Sequence, residues 1–367
     1  MGVKSMKKMK KLLALSMGAV MLASSLAGCG SKAAEPQAAT ETKTEAKAEE
    51  AAPAASDAKK FVLIVKSTGN PYNEKESEGF KAAIEEAKAG EVILKAPAEP
   101  TAEAQIQMIE EAIAQKVTSI ALAGNDPDAL QPVLKKAMDA GIKVLSLDSS
   151  VNAASRMVHV NQADPERIGR VQVQAISEMI GGAGEIAILS ATSQATNQNT
   201  WIEWMKKELE DPKYKDIKLV KVAYGDDLRD KSTAETEALL KAYPNLKGII
   251  SPTTVGMAAA GKVLTDKGLS GKVKLTGLGL PSEMAEYITN GVCPWMYLWN
   301  PMDVGYLAGY ASIALADGTI SGKAGDKFTA GKLGEKEVIT VGDGTEIMLG
   351  DPFKFEPANI EEWKSIY

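Results

Sequence analysis

The sequence predicts an α/β protein made of two lobes, each a doubly wound parallel sheet wrapped by helices. Short β-rich runs alternate with helix-like stretches from residue 60 onward, which is the pattern of a parallel sheet with crossover helices. This part of the sequence holds about 308 residues, enough for two domains of ordinary size. The alternation also begins again near residue 163, so two successive units are expected.

The first unit is predicted to contain four strands with helices between them. The predicted strands cover 61–65, 91–94, 119–123 and 143–147. The predicted helices cover 73–89, 102–115 and 126–140. Gly141 directly follows the last of these helices, and glycine is the residue type that most often ends a helix.

The second unit repeats this alternation. Its predicted strands cover 185–189, 218–223, 248–251 and 273–277. Its predicted helices cover 166–180, 200–209, 232–242 and 255–267. Two adjacent α/β units leave a cleft between them, and ligands of open parallel sheets bind beyond the carboxyl ends of the strands. Polar residues directly after strands are therefore the first candidates for function.

The N-terminal residues predict export and attachment. Five lysines open the sequence, residues 12–27 carry no charge, and the small residues Ala27 and Gly28 precede Cys29. This arrangement resembles the bacterial lipobox, so residues 1–28 are interpreted as a lipoprotein signal peptide and Cys29 as the lipidation site. An ordinary signal peptide with an incidental cysteine is the alternative. The protein is then expected at the cell membrane, lipid-anchored on its extracytoplasmic side.

Residues 29–59 are predicted to form a disordered tether. Ala, Glu, Lys, Thr and Pro dominate this stretch, and it holds no large apolar residue that could start a core. A charged helix is the alternative, which Pro36 and Pro53 disfavour. Such a spacer lets a folded body reach a neighbour in the membrane.

Composition excludes several classes of protein. The net charge of −6 and the pI near 5.3 argue against a nucleic-acid surface, which needs clustered Lys and Arg. No second long apolar run follows the signal segment. Only Cys29 and Cys293 occur, so lipidation of Cys29 leaves no partner for an intramolecular disulfide. Cys293 is predicted to be a small buried residue.

Enzymatic chemistry finds little support in the sequence. The single histidine, His159, lies in the β-like run 157–160 and is interpreted as structural. No Cys/His cluster has zinc spacing, and no Gly-x-x-x-x-Gly-Lys-Ser/Thr motif is present. The Gly-rich stretch 181–184 precedes its strand, whereas a dinucleotide-binding fingerprint follows one. We therefore expect no enzyme, no metal and no cofactor.

Candidate site residues follow four of the predicted strands and the short run 296–297. They are Lys66, Asp148, Asn197, Gln198, Pro252, Thr254, Trp299 and Asn300. Amine, carboxylate, amide and hydroxyl groups satisfy paired hydroxyls, and an indole face packs on the C–H face of a sugar. This set predicts a small polyhydroxylated ligand. Surface charges, a helix cap in the loop after residue 189 and a core tryptophan are the alternatives for these positions.

Seven segments together resemble the type I periplasmic sugar-binding proteins of ABC importers. The resemblance extends over residues 60–367 and is closest to the branch of the autoinducer-2 receptors and rhamnose-binding proteins. The segments are KSTGNPY (66–72), NDPDAL (125–130), LDS (147–149), ATNQNTW (195–201), KAYP (241–244), SPTT (251–254) and LWNP (298–301).

The resemblance implies how the ligand is held. In autoinducer-2 receptors, a lysine after the first strand and an aspartate after the fourth hold the ligand, and these match Lys66 and Asp148. The receptors' Asp-Gln pair and Pro-x-Ala turn correspond to Asn197, Gln198, Pro252 and Thr254. Asn197 and Thr254 depart from that pattern and resemble the rhamnose-binding side. The prediction leans to autoinducer-2, because its lysine, aspartate and glutamine are retained; rhamnose or another deoxyhexose or pentose is the alternative.

The resemblance also implies the architecture and the partners. Residues 60–162 and 298–327 are expected in the first lobe, and residues 163–297 and 328–367 in the second. A three-strand hinge is expected to cross near 160–165, 293–300 and 328–342, with a helix over 303–316 returning to the first lobe. A monomer that serves an ABC permease is implied, and a co-receptor for a chemosensor or kinase is the alternative. A sugar-sensing transcriptional regulator is excluded, because the lipobox stands where its DNA-binding segment would be.

Overall fold

The computed structural model describes residues 58–367. The predicted signal peptide, Cys29 and all but the last two residues of the predicted tether lie outside this described part. Within residues 58–367, no helix combines the length and apolar character needed to cross a bilayer. The predicted fold class is confirmed, because two mainly parallel sheets are wrapped by helices.

The described part of the chain contains fifteen strands and ten α-helices. The strands are β1 (Lys60–Ile64), β2 (Glu91–Lys95), β3 (Ser119–Leu122), β4 (Lys143–Leu147), β5 (Val158–Asn161), β6 (Gly184–Ser190), β7 (Ile217–Tyr224), β8 (Leu246–Ser251), β9 (Lys274–Gly277), β10 (Met296–Leu298), β11 (Lys327–Thr329), β12 (Glu335–Glu337), β13 (Ile339–Val341), β14 (Gly344–Met348) and β15 (Phe353–Phe355). The helices are α1 (Pro71–Glu86), α2 (Ala102–Ala114), α3 (Pro127–Asp139), α4 (Pro165–Ile180), α5 (Thr196–Leu209), α6 (Arg229–Ala242), α7 (Thr254–Asp266), α8 (Pro281–Thr289), α9 (Pro301–Asp317) and α10 (Ile360–Trp363).

The first lobe is built on a seven-stranded sheet in the order β13-β14-β5-β4-β3-β1-β2. All neighbours pair in parallel except the edge pair β13–β14. Alternate residues of β1 enter different apolar clusters, with Phe61 and Leu63 in one and Val62 and Ile64 in the other. A sheet that is buried on both faces in this way needs continuous apolar strands, and the sequence of β1 supplies one.

The second lobe is built on the parallel sheet β7-β6-β8-β9. The antiparallel pair β10–β15 lies beside β9, to which a bridge between Leu278 and Tyr297 joins it. The C-terminal residue also belongs to this lobe, because the backbone oxygen of Tyr367 accepts a hydrogen bond from Ser282 N in α8 at 3.1 Å.

Two glycines allow α1 and α9 to pack closely in the first lobe. A Cβ on Gly79 would lie 1.9 Å from the backbone oxygen of Met302, and a Cβ on Gly305 would lie 1.9 Å from that of Glu76. Only glycine permits so close an approach of two helix backbones. The contact holds α1 in place, and the first turn of α1 carries side chains of the cleft described below.

The chain passes between the lobes after β5, between β10 and α9, and between β14 and β15. The third predicted crossing, at 328–342, is wrong, and so is the placement of residues 328–348 in the second lobe. Strand β14 pairs with β5, and its buried Ile347 extends the first sheet. Lys332 N donates to the hydroxyl of Tyr306 on α9, which keeps β11 and β12 in the same lobe. Strands β11, β12 and β14 are short and mainly polar, so their sequence does not indicate which sheet they join.

Candidate ligand-binding cleft

A cleft lies between the carboxyl ends of the two sheets. Its empty space, which includes a part open to solvent, is about 340 Å³. Its walls are formed by Lys66, Asn70, Tyr72, Asn73, Asp148, Gln198, Trp201, Asp227, Pro252, Thr253, Thr254, Leu278, Leu298 and Trp299. Both lobes contribute to these walls.

Most of the residues that the sequence pointed to come together here. Six of them line the cleft: Lys66, Asp148, Gln198, Pro252, Thr254 and Trp299. Asn197 lies immediately behind this wall, where it contacts Lys66 and Asp148. Asn300 does not join them, because its side chain caps α9 by accepting a hydrogen bond from Met302 N at 3.0 Å. The structure therefore assigns Asn300 to the helix end.

Lys66 follows β1 and is almost fully buried. Its ammonium lies 3.6 Å from Oδ2 of Asp148. It also donates to Oδ1 of Asn197 at 3.2 Å and to Oε1 of Gln198 at 3.3 Å. The ammonium therefore makes two hydrogen bonds and one ion pair whose N–O distance is longer than a hydrogen bond. Lys66 thus joins the two lobes.

Asp148 follows β4 in the left-handed backbone region, with a φ of +54°. Its Oδ1 accepts hydrogen bonds from Asn197 Nδ2 at 3.1 Å, Gln162 Nε2 at 3.3 Å and the Tyr72 hydroxyl at 3.4 Å. Burial raises the pKa of this carboxyl, and the Lys66 ammonium opposes that shift. The carboxylate is therefore held in one orientation by groups from both lobes.

Asn197 and Gln198 lie in the first turn of α5, which corrects the prediction of a loop up to residue 199. The helix begins after Ala195, which provides no side-chain cap. Oδ1 of Asn197 accepts a hydrogen bond from Gln198 N at 2.9 Å. This bond inside the first turn fixes the amide that contacts Lys66 and Asp148.

Three aromatic side chains form one side of the cleft. Trp299 is buried, and its Nε1 donates to the Tyr72 hydroxyl at 2.7 Å. The Trp299 ring lies 6.5 Å from the Tyr72 ring in an edge-on arrangement and 5.7 Å from the Trp201 ring. Burial raises the pKa of Tyr72 well above its usual range, and the Asp148 carboxylate adds to this shift. Tyr72 thus connects the aromatic wall to the central carboxylate.

Several cleft residues were missed at the level of sequence. Asn70, Tyr72 and Asn73 lie at the start of α1, within a segment that had been singled out only for Lys66. Trp201 lies one turn beyond Asn197 on α5. Asp227 follows β7, so the same search for polar residues after strands finds it once β7 is included.

A buried carboxyl group lies one helical turn beyond Tyr72. Glu76 is completely buried, and neither of its side-chain oxygens has a hydrogen-bond partner among the described residues. Burial raises the pKa of Glu76 well above its usual range, and the nearby Asp148 carboxylate adds to the shift. Burial therefore favours the neutral form of the Glu76 carboxyl group.

The remaining candidates for chemistry are buried and inert. His159 Nδ1 lies 2.9 Å from the Ser146 hydroxyl, and burial lowers the pKa of His159 to about 3. Burial raises the pKa of the Cys293 thiol far above its usual value. Residues 58–367 contain no cluster of three His, Cys, Asp or Glu side chains arranged to hold a metal ion.

The geometry defines a class of protein. Two parallel-sheet lobes meet around a small cleft in which polar groups face an aromatic wall, and a binding protein for a small hydroxylated molecule needs this combination. The family model described as "periplasmic binding protein domain" matches residues 61–320. The chain therefore belongs to the periplasmic binding protein family.

Three similar proteins place the chain within that family. An ABC transporter solute-binding protein from Clostridium phytofermentas with bound L-rhamnose is 54% identical, with a TM-score of 0.82 over 84% of this chain and 99% of that one. LsrB from Clostridium saccharobutylicum in complex with AI-2 is 24% identical, with a TM-score of 0.78 over 83% and 99%, a likeness that shows the fold alone. A D-ribose/D-allose-binding protein of Pseudomonas aeruginosa is 25% identical over 225 residues, 59% of this chain and 70% of that protein.

These comparisons identify the role of the chain in general terms. It is a sugar-binding protein of an ABC transporter, and such proteins are extracytoplasmic transport components that work with a membrane permease. It is not an enzyme. The resemblance to type I sugar-binding proteins that the sequence motifs indicated is confirmed.

Proposed function

We propose that this chain is the substrate-binding lipoprotein of an ABC importer and that its cleft captures a 6-deoxyhexose of the L-rhamnose type. The observation that carries the ligand assignment is the 54% identity to a solute-binding protein with bound L-rhamnose, over 84% of this chain. The sequence motifs alone favour autoinducer-2 over L-rhamnose as the ligand. The LsrB relative is only 24% identical, so its ligand carries less weight than that of the rhamnose-bound protein.

The chemistry of the cleft supports a deoxyhexose. Asp148, Gln198 and Thr254 bring acceptors and donors to it, whereas Leu278 and Trp299 bring apolar surface. A 6-deoxyhexose has hydroxyl groups around its ring, apolar C–H groups on the ring faces and a methyl group. Its hydroxyls suit the polar side, and its ring face and methyl group suit the indole and the leucine.

The contacts between the lobes support capture by closure. Lys66 and Asp148 of the first lobe bond to Asn197 of the second. The Thr196 hydroxyl donates to the backbone oxygen of Ser150 at 2.9 Å, which adds a further link. We infer that a ligand between the sheets stabilises this closed form by hinge motion and that the permease recognises the closed form.

Autoinducer-2 is the second candidate ligand. It is favoured by Lys66, Asp148 and Gln198, the three side chains that match the receptor pattern and line the cleft together. The contacts of Asn197 oppose it. Asn197 Nδ2 donates to Asp148 Oδ1, and the aspartate of the receptors has no donor for this bond.

Attachment to the membrane is part of the proposal. Cys29 is the proposed lipidation site, residues 1–28 the signal peptide and residues 29–59 the tether, in keeping with the sequence of that segment. We propose that a monomer serves the permease. A ligand-loaded co-receptor for a chemosensor or kinase would use the same closed form. The genes beside this one distinguish the two roles, since permease genes indicate transport and sensor genes indicate signalling.

Calorimetric titration of the purified full chain tests the ligand assignment. L-rhamnose, autoinducer-2, D-ribose and D-galactose are titrated in parallel under one buffer condition. We expect L-rhamnose to bind most tightly, with a dissociation constant of about 1 μM or below. Tight binding of autoinducer-2 without measurable binding of L-rhamnose overturns the deoxyhexose assignment and leaves the transport role intact.

A further inference from the structure

Asp227 presents a carboxylate from the second lobe to the cleft. It follows β7, and its backbone has a φ of +55°, a left-handed conformation that non-glycine residues seldom adopt. The turn is fixed by hydrogen bonds from Gly225 N to Ser190 O at 2.8 Å and from Leu228 N to Gly225 O at 2.9 Å. The Thr253 hydroxyl donates to Oδ1 of Asp227. The turn and the threonine together hold one carboxylate oxygen and leave the other free.

This carboxylate has no cationic partner among the described residues. Lys231, the nearest lysine in sequence, pairs with the neighbouring Asp226. Lys66, the lysine of the cleft, forms an ion pair with Asp148 and donates hydrogen bonds to Asn197 and Gln198. Within residues 58–367, no ion pair neutralises Asp227, although it lines the same cavity.

We propose that Asp227 is a specificity-determining residue that restricts the cleft to uncharged sugars and excludes sugar acids. This inference rests on the proposed function and specifies the chemical class of its ligand. The free oxygen of Asp227 accepts a hydrogen bond from a ligand hydroxyl. An anionic ligand meets an unpaired negative charge there, and the positive charge of Lys66 is already paired with the Asp148 carboxylate.

The repulsion acts on a ligand that lies in the same cleft as Asp227. At a separation of about 7 Å, which is within the Debye length of about 8–10 Å, salt screens two charges only in part. Two like charges at that distance, at the effective dielectric constant of a partly enclosed site, weaken binding by about ten- to fiftyfold. A sugar acid is therefore rejected even where its ring fits.

The test compares two ligands that share one sugar ring and differ in charge. D-galactose and D-galacturonate share one ring and differ at C6, and L-rhamnose reports on the proposed ligand. The full chain is titrated with each ligand, as the parent and as Asp227→Asn, which removes the charge and keeps the Oδ1 acceptor for Thr253. We expect the parent to bind galacturonate at least about tenfold more weakly than galactose, and Asp227→Asn to reduce this ratio at least about fivefold.

Asp226→Asn is the matched control. Asp226 has the same φ of +55° in the same turn, but its carboxylate pairs with Lys231. We expect this variant to keep the parental ratio of the two affinities. A ratio that stays unchanged in Asp227→Asn, or that falls equally in Asp226→Asn, overturns the inference.

The parent titrations separate the two proposals. A parent that binds L-rhamnose, combined with an Asp227→Asn variant that still binds no galacturonate, overturns only the role of Asp227. A parent without affinity for any neutral sugar overturns the proposed function, and the inference with it.

Discussion

Asn197 donates its side-chain amide to Oδ1 of Asp148 at 3.1 Å, and this hydrogen bond spans the gap between the two lobes. The same amide accepts a hydrogen bond from the Lys66 ammonium at 3.2 Å. Because an amide both donates and accepts, it can join a carboxylate and an ammonium, whereas an aspartate at this position can only accept. Asn197, one of the two residues that depart from the autoinducer-2 receptor pattern, therefore contributes to the link between the lobes here.

The first prediction concerns Asp148 itself. Asp148→Ala removes the carboxylate that faces the ligand, and charge-assisted hydrogen bonds contribute about 1.5–3 kcal/mol, so we expect L-rhamnose to bind at least about tenfold more weakly. The fold persists, because Lys66 keeps Asn197 and Gln198 as acceptors. Calorimetry measures the affinity, and thermal unfolding without ligand checks the fold. Asp139→Ala, at the exposed end of α3, is the control, and equal binding by Asp148→Ala and the parent removes Asp148 from the site.

The second prediction concerns the link between the aromatic wall and the carboxylate. Tyr72→Phe leaves the buried Nε1 of Trp299 without its acceptor and takes one donor from Asp148. We expect the free energy of unfolding to fall by about 1–3 kcal/mol, measured by denaturant unfolding without ligand. Tyr310→Phe is the control, because that hydroxyl bonds to Glu86 at the surface and its loss should cost little. Equal effects of the two changes contradict the role assigned to Tyr72.

The third prediction concerns acid stability. His159 has a folded-state pKa of about 3, below its ordinary value of 6.5. Between these two values the unfolded chain binds a proton that the folded chain does not, so stability falls as the pH drops from 6.5 towards 3. We expect His159→Gln to reduce this slope by up to about 1.4 kcal/mol per pH unit, because it removes the titrating group.

The measurement is denaturant unfolding of the parent and the variant at several pH values between about 6.5 and 4. Glu208, whose pKa is lowered to about 2, adds acid sensitivity of its own, but it is present in both proteins and cancels in the comparison. Parallel curves for His159→Gln and the parent contradict the assignment of a buried neutral imidazole.

Polar residues that directly follow strands can be brought together from the sequence by a simple geometric rule. In a parallel sheet all strand ends meet at one edge, so Lys66 after β1 and Asp148 after β4 lie together without any knowledge of helix packing. Asp227 after β7 obeys the same rule. Its position after a strand is as clear in the sequence as theirs, although it is not among the predicted site residues.

Two features could not be predicted from the sequence. One depends on which of two local roles a residue takes, and the other depends on a tertiary contact. Asn300 follows a strand, but it also precedes a proline at the start of a helix, as Asn70 does, and both asparagines act as N-caps. Residues 328–348 were placed in the wrong lobe because β14 joins the first sheet through pairing with β5, which depends on a partner almost two hundred residues away in sequence.

The fourth prediction concerns attachment and tests residues outside the described part of the chain. Cys29→Ala removes the proposed lipidation site, so we expect the protein to move from the membrane fraction to the soluble extracytoplasmic fraction. Ligand affinity should not change, because the cleft lies within residues 66–299. Fractionation with a salt wash, followed by immunoblotting, measures the distribution. A Cys29→Ala protein that stays with washed membranes contradicts the lipid anchor.

The last prediction uses the two departures from the receptor pattern to decide the ligand. Asn197→Asp places a second carboxylate against Oδ1 of Asp148 and removes the donor of the bond between the lobes. Thr254→Ala removes a buried hydroxyl that has no hydrogen-bond partner among the described residues and is therefore available to a ligand. For a cleft built for a deoxyhexose, we expect the double change to weaken L-rhamnose binding by about 1–3 kcal/mol.

The opposite direction is expected if autoinducer-2 is the true ligand. The double change then restores the receptor pattern around Lys66 and Gln198, and the affinity for autoinducer-2 should stay equal or rise. Calorimetry of the parent and the double variant with both ligands measures the two directions in one experiment, and the single changes apportion the effect between Asn197 and Thr254. The deoxyhexose assignment is wrong if the parent does not bind L-rhamnose and the double variant binds autoinducer-2 more tightly than the parent does. A double variant that loses L-rhamnose binding and gains no autoinducer-2 binding supports the deoxyhexose assignment. The amide of Asn197 is then required both for closure and for sugar binding, because this one side chain holds Asp148 and Lys66 in place for the ligand.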